Sequence, residues 1–219
     1  MSATGRGSAR EPFDCYETPA WCVRRYLESA PPLRPGDRVL EPSAGSGSIA
    51  RVVRELYPGV HITAVELQSR YHDDLLEAAD EVWCPQNFLR WQAAQVHWQA
   101  TQEDYDLVIG NPPFTLADEF MLCAHRIGRR WAMLLRLNVL EGENRADLFR
   151  LIKPGALVLP NRPGFKRKMS QTDACAYAWI NSDSTLRWAA TTSLDERRRD
   201  HAELWRDRRL PPVVQEQLF

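Results

Sequence analysis

Short apolar runs alternate with stretches of helical period along most of the chain. Strand-like runs fall at residues 38–40, 61–65, 81–84, 107–109, 131–135 and 156–159, with a seventh at 174–180. Between the earlier ones, apolar side chains recur at helical spacing over 47–56, 68–79, 116–127 and 143–151. Thr18-Pro19 ahead of residues 20–27 predicts a capped leading helix with Pro in its first turn. Strands alternating with helices predict βαβ units and a parallel sheet. After Lys153 the pattern changes. Pro154-Gly155 marks a turn, and the last two strands are joined by a basic loop, 160–173, with no helix between them. The expected fold is therefore α/β, a mostly parallel seven-stranded sheet ending in an antiparallel hairpin. Beyond Asp183 the chain turns polar and Arg-rich, with a helix expected at 194–208 before Pro211-Pro212 breaks it. This gives a loose tail at 1–11, one main domain at 12–183, and a polar helix and tail at 184–219.

Composition adds boundaries to that picture. A chain of 219 residues, 44% hydrophobic and 26% charged, can bury one core and is neither fibrous nor disordered by composition. No apolar run is long enough to span a bilayer, and Met1 to Arg10 lacks the apolar centre of a secretory signal. Cys15, Cys22, Cys84, Cys123 and Cys175 are odd in number, and no two have zinc-knuckle spacing, which suits scattered reduced thiols in a cytoplasmic protein. Charge is uneven. Residues 121–170 hold eleven Lys or Arg against three acids, a net +8, leaving −9 for the rest of a chain of net charge −1. A basic stretch suits a polyanionic substrate, and a solvated charged surface would give the same count.

Two motifs carry the candidate chemistry. Val39-Leu40 runs into Glu41-Pro42-Ser43-Ala44-Gly45-Ser46-Gly47, and a helical pattern follows. Gly45 and Gly47 allow a sharp turn and close approach to a ligand, and the helix aims free N–H groups at it. The third glycine of a dinucleotide fingerprint is absent near Ala50. Glu66, ending the second strand-like run with Leu67 after it, is placed to accept hydrogen bonds from ribose hydroxyls. Alone, it could equally complement a helix N-terminus. At the end of the third run, the Asn87 amide could pair with an adenine edge while Phe88 packs on the ring, and a surface turn is the alternative.

The second motif is Asn111-Pro112-Pro113-Phe114, entered from Leu107-Val108-Ile109-Gly110. An exocyclic ring amine is a poor nucleophile because its lone pair is delocalised. The Asn111 side-chain carbonyl and the Pro112 backbone carbonyl can each accept one N–H, which localises that lone pair for attack on a methyl sulfonium. Two prolines hold the backbone in one shape, and Phe114 can stack on the base.

With both motifs in this order, the chain resembles the S-adenosylmethionine-dependent amino-methyltransferases, specifically the small phage and bacterial DNA adenine-N6 type. That family has a Rossmann-like class I methyltransferase fold. The resemblance covers roughly residues 14–180 and includes Asp14-Cys15-Tyr16-Glu17-Thr18-Pro19 as the leading cofactor motif. It implies S-adenosyl-L-methionine as cofactor, held by Tyr16, Thr18, Glu41, Ala44, Gly45, Gly47, Glu66, Leu67, Asn87, Phe88 and Asn111, and DNA as partner in a bacterial or phage-infected cell. Arg162-Pro163-Gly164-Phe165, with Ala176-Tyr177-Ala178-Trp179 after it, is similar to the family's terminal hairpin. Phe165 would then stack on the extruded base, and Arg162, Lys166, Arg167 and Lys168 would hold phosphates, although the Lys-Arg-Lys trio could be a solubilising turn. Asn87 stands where the family has Asp, so weaker cofactor binding is expected. No separate recognition domain is evident, which predicts a short or loosely defined target site.

Other activities fit the same motifs. RNA adenine or protein glutamine could be the acceptor, the latter disfavoured by the basic stretch, and a silent nucleic-acid-binding relative would keep the same fold. Carbon-5 cytosine methylation wants a Pro-Cys order, reversed here at Cys84-Pro85. Finally, Gln215-Glu216-Gln217-Leu218-Phe219 resembles the peptide by which bacterial proteins bind the replication sliding clamp through Gln215, Leu218 and Phe219. Leu218 and Phe219 docking on the chain's own surface is the alternative.

Overall fold

The computed structural model describes residues 17–95, 104–164, 176–193, 195–197 and 199. Eight strands form one sheet: β1 (Arg38–Glu41), β2 (His61–Val65), β3 (Glu81–Trp83), β4 (Leu107–Gly110), β5 (Trp131–Arg136), β6 (Gly155–Leu159), β7 (Tyr177–Asn181) and β8 (Leu186–Trp188). Their order is β3-β2-β1-β4-β5-β7-β6-β8. All neighbours are parallel except β7, which runs antiparallel between β5 and β6, with Arg136 opposite Tyr177 and Leu159 opposite the same residue.

The strands inside the edges β3 and β8 form where side chains are buried on both faces, which is why they read as continuous apolar runs. In β5, Trp131, Met133 and Leu135 enter one core while Ala132 and Leu134 enter the other. β7 alternates in the same way, with Tyr177 and Trp179 on one side and Ala178 and Ile180 on the other. One face is covered by α1 (Ala20–Ser29), α2 (Ser48–Leu56) and α3 (His72–Ala78), the other by α4 (Phe88–Gln95), α5 (Ala117–Ile127) and α6 (Ala146–Ile152). α5 buries Ala117, Phe120, Met121, Ala124 and Ile127, a stripe at helical spacing. α1 is fastened to the sheet by the buried Trp179 indole N–H, which donates to the Cys22 carbonyl at 2.8 Å. No helix among the described residues is long and apolar enough to cross a membrane.

Four features differ from the sequence expectation. The sheet has eight strands rather than seven, because Leu186-Arg187-Trp188 pairs with the outer edge of β6. This places a strand beyond residue 183, where the main domain was expected to end. Three residues with a central Arg are too short to show a period. α4 was not foreseen, since its apolar residues make no clear stripe. α1 has Pro19 at its N-cap position and no side-chain cap, so Thr18 does not cap it. The helix expected at 68–79 begins as a 3-10 turn, Ser69–Tyr71, before α3. Residues 195–197 and 199 are helical, within the helix expected at 194–208.

Candidate active site

The chain places β2 and β3 on one side of β1, and β4 onward on the other. Crossovers that leave in opposite directions open a crevice at the carboxyl ends of β1 and β4. A cavity of about 570 Å³ occupies it. Both motifs reach this cavity: Glu41, Pro42, Ser43, Ala44 and Gly45 from the first, Asn111 and Pro113 from the second. They also press on one another. A Cβ on Gly110 would stand 3.1 Å from the Pro42 ring, so glycine at the end of β4 lets the two loops meet.

Glu41 ends β1 and is 2% exposed. Its Oε2 accepts the Ala50 N–H at 2.9 Å, one of the first-turn donors of α2 that have no partner within the helix. Burial pushes the Glu41 carboxyl well above the ordinary range. The Ala50 N–H pulls it down, the Glu66 charge adds to the rise, and Arg51 lowers it. Gly45 and Gly47 both have positive φ, 52° and 82°, and Gly47 is the N-cap of α2. A Cβ on Gly47 would lie 2.7 Å from the Ala78 Cβ. Glu66 follows β2 and is 6% exposed; Oε2 accepts the Gly45 N–H at 2.7 Å and Oε1 the Gln68 N–H at 2.8 Å. The acid expected to take ribose hydroxyls thus also clamps the glycine loop.

Thr18 is buried, and its N–H donates to the Ser48 hydroxyl at 3.3 Å, binding the leading segment to the start of α2. Leu67, 49% exposed, lines the cavity. Asn87 also lines it, and its Oδ1 accepts the Arg90 N–H at 3.1 Å, so its carbonyl caps α4. Phe88 is a core residue, 3% exposed, with its ring 5.2 Å from Phe120 and 6.2 Å from Trp91, although it borders the cavity. In the second motif Pro112 is buried. Phe114 opens a 3-10 turn and packs against Tyr177, centroids 6.0 Å apart, while the Arg136 guanidinium sits over its ring at 5.0 Å. Arg136 thus occupies one face of the ring that was expected to stack on the base.

The basic stretch does not form one surface. Arg129 pairs with Asp106 at 2.8 Å ahead of β4 and β5, and Arg130 donates to the Pro31 carbonyl. Lys153 precedes β6. These three lie at the amino ends of the parallel strands, away from the cavity. Arg145 pairs with Asp118 and Arg150 with Asp147. Arg136 and the exposed Arg162 follow strand ends on the cavity side. Tyr16, Phe165, Lys166, Arg167, Lys168, Gln215, Leu218 and Phe219 lie outside the described residues.

Sequence reasoning missed several cavity residues: Glu17, Ser43, Gln86, Thr115, Leu116 and Phe120. Glu17 and Ser43 stand inside motifs already recognised, and that adjacency was the available signal. Leu116 and Phe120 are brought in by the 3-10 turn, which shifts the helical face in a way spacing alone does not show.

No protein-family model matches the sequence, and no curated relative matches it either. Solved structures do match in shape. A chain described as a modification subunit of a type I restriction enzyme from Vibrio vulnificus superposes with TM-score 0.61 at 17% identity, covering 90% of this chain and 54% of that one. The methyltransferase subunit of a type I restriction-modification system from Streptococcus thermophilus gives 0.59 at 12% identity, covering 84% and 52%. A protein described as an RNA methyltransferase from Pyrococcus horikoshii gives 0.53 at 16% identity, covering 77% and 86%. The fold is the Rossmann-like class I methyltransferase fold. The chain spans about half the length of the two restriction-system subunits.

Proposed function

We propose that this chain transfers a methyl group from S-adenosyl-L-methionine to the exocyclic N6 amine of adenine in DNA. The observation that carries the proposal is the shared cavity: the glycine loop, Asn111 and Pro113 line one space, and the two loops touch through Gly110 and Pro42. A donor site and an amine-holding site in contact are what direct methyl transfer needs.

The residues suit this cofactor better than a phosphate-bearing nucleotide. Glu17 and Glu66 bring carboxylates to the cavity, and no Lys, Arg or His lines it among the described residues. A pyrophosphate would be repelled there, whereas a nucleoside carrying positive charge is attracted. The Ser43 hydroxyl oxygen is buried beside the cavity with no hydrogen-bond partner among the described residues, and a polar ligand would satisfy it. S-adenosylmethionine would supply an electrophilic methyl on a sulfonium. Glu66 and the glycine loop would hold its ribose, Asn87 its adenine edge, and Leu67 the ring face. The Asn111 and Pro112 carbonyls would accept hydrogen bonds from the two amine N–H groups and so localise the nitrogen lone pair, with Pro112 and Pro113 keeping both acceptors in place.

DNA and adenine as acceptor follow from the motif order and its family resemblance. The base must be flipped from the duplex or presented on a single strand, because a stacked base is out of reach of such a crevice. The test is incubation of the full chain with methyl-labelled cofactor and DNA or RNA, followed by identification of the labelled nucleoside. N6-methyladenine from DNA is the expected product. Label in cytosine or in RNA adenine would change the acceptor, and no label in either nucleic acid would favour a silent binding protein. Asn111→Ala is expected to lower methyl transfer by at least about a hundredfold while cofactor binding persists.

A further inference from the structure

The aromatic ring of the second motif is held by residues from two other strands. Phe114 opens a 3-10 turn directly after Pro113 and is partly buried. Arg136 ends β5 and Tyr177 begins β7, and the two are direct partners across the antiparallel ladder, so they project to the same face. The Arg136 guanidinium stands 5.0 Å from the centre of the Phe114 ring. The Tyr177 ring lies 6.0 Å from it, tilted by 52°, and is itself 1% exposed. Register brings this group level with the amine-holding loop. Gly110 pairs with Met133, and Arg136 lies as far beyond Met133 as Pro113 lies beyond Gly110. The apolar run of β5, Trp131 to Leu135, therefore ends on a planar cation at the height of the second motif. A guanidinium there packs on the π face and adds electrostatic attraction to it.

We propose that Arg136 is a positioning residue for the acceptor: it holds the Phe114 ring in one orientation beside Asn111, so that an incoming base meets a fixed stacking surface. This rests on the methyltransferase reading above. Arg136 acts through Phe114 rather than on the reacting atoms. A ring restrained by a guanidinium and by a buried tyrosine loses less freedom when a base docks on it, so stacking costs less. The face covered by Arg136 is closed to the base, which fixes the side from which the base can approach. The donor half of the cavity is carried by the ends of β1 and β2, through Glu41 to Gly45 and Glu66, and is not part of this stack.

Two competing roles for Arg136 are a direct grip on a phosphate and a rivet that only stabilises the fold. Steady-state transfer to the nucleic acid that wild type methylates, with donor affinity from isothermal titration, separates them. Arg136→Ala is expected to lower kcat/KM for the nucleic acid by roughly tenfold, mainly through KM, with the donor Kd within about twofold of wild type. Arg136→Lys keeps a cation near the ring and should recover part of the loss, and it carries the test if the alanine variant does not fold. The deciding measurement is a double-mutant cycle with Phe114→Leu. In that background Arg136→Ala should change kcat/KM by no more than about twofold, because the ring it positions is gone. Additive effects of the two substitutions overturn the proposal, and a salt slope reduced by about one would then assign Arg136 to a phosphate. Weakened donor binding in both Arg136 variants marks a purely structural role and overturns it as well. A wild type that binds the donor but methylates neither DNA nor RNA overturns the proposed function, and this role falls with it.

Discussion

Gly47 combines two constraints that no other residue type satisfies: a left-handed backbone at φ 82° and a neighbour, the Ala78 Cβ, only 2.7 Å from where a side chain would begin. Gly47→Ala is expected to cost about 2 kcal/mol or more in folding stability, read from urea denaturation, and to weaken cofactor binding with it. Glu41 makes a pH prediction. Burial raises its carboxyl in the folded state above its ordinary value of 4.5, with Glu66 adding to the shift and Arg51 opposing it. Between that value and the raised one, the folded protein binds more protons than the unfolded chain. Stability therefore falls as pH rises through this window, and the group costs nothing below it. Urea midpoints measured for wild type and Glu41→Gln should diverge as pH rises from 5, with the variant losing less. If the two curves run parallel, Glu41 is not the titrating group. The glycines and Glu41 could be read in the sequence because each needs a particular residue type. Glu17 offered only its place inside the leading motif, because a carboxylate there looks the same whether it meets water or a cavity.

Elements tell a similar story at larger size. β2 was legible to the residue, since His61–Val65 sits with both faces in the core and its ends are set by turns. β8 was not: Leu186 and Trp188 are 58% and 65% exposed, so little hydrophobic pattern is needed to keep an edge strand in register. α4 was hidden for a different reason, being started by the Asn87 cap and an aromatic cluster of Phe88, Trp91 and Phe120 rather than by its own stripe. The element most sensitive to one substitution is α1. Trp179→Phe removes the indole bond to the Cys22 carbonyl and thins the contact with Tyr26. A loss of about 2–3 kcal/mol is expected in urea unfolding. Fluorescence alone would not separate this from the lost chromophore, so far-UV circular dichroism is the appropriate probe.

For the whole molecule, the strongest revision concerns charge. A count of +8 over 121–170 suited a polyanionic substrate and a solvated charged surface alike. Folding sends part of it to the amino ends of the strands and pairs Arg129, Arg145 and Arg150 with neighbouring acids. Sequence order conceals this because consecutive loops of a parallel sheet emerge at opposite ends. Arg162→Gln, on the cavity side, is expected to lower nucleic-acid affinity and reduce the salt slope by about one, measured by fluorescence anisotropy across several salt concentrations. Arg129→Gln, at the far end, should change neither. Equal effects from both would mean that binding follows bulk charge rather than this arrangement.

The reversed direction of β7 has a consequence for how such a protein diversifies. Because β7 runs against its neighbours, β6 ends and β7 begins at the same rim, Leu159 opposite Tyr177. The connection between them can be lengthened, shortened or exchanged while both anchoring strands stay in register. The cavity, lined mainly from the β1, β2 and β3 side, would not register the change. On the proposed function, a graft of a different 160–176 segment is expected to change the acceptor while leaving methyl-donor binding unaltered.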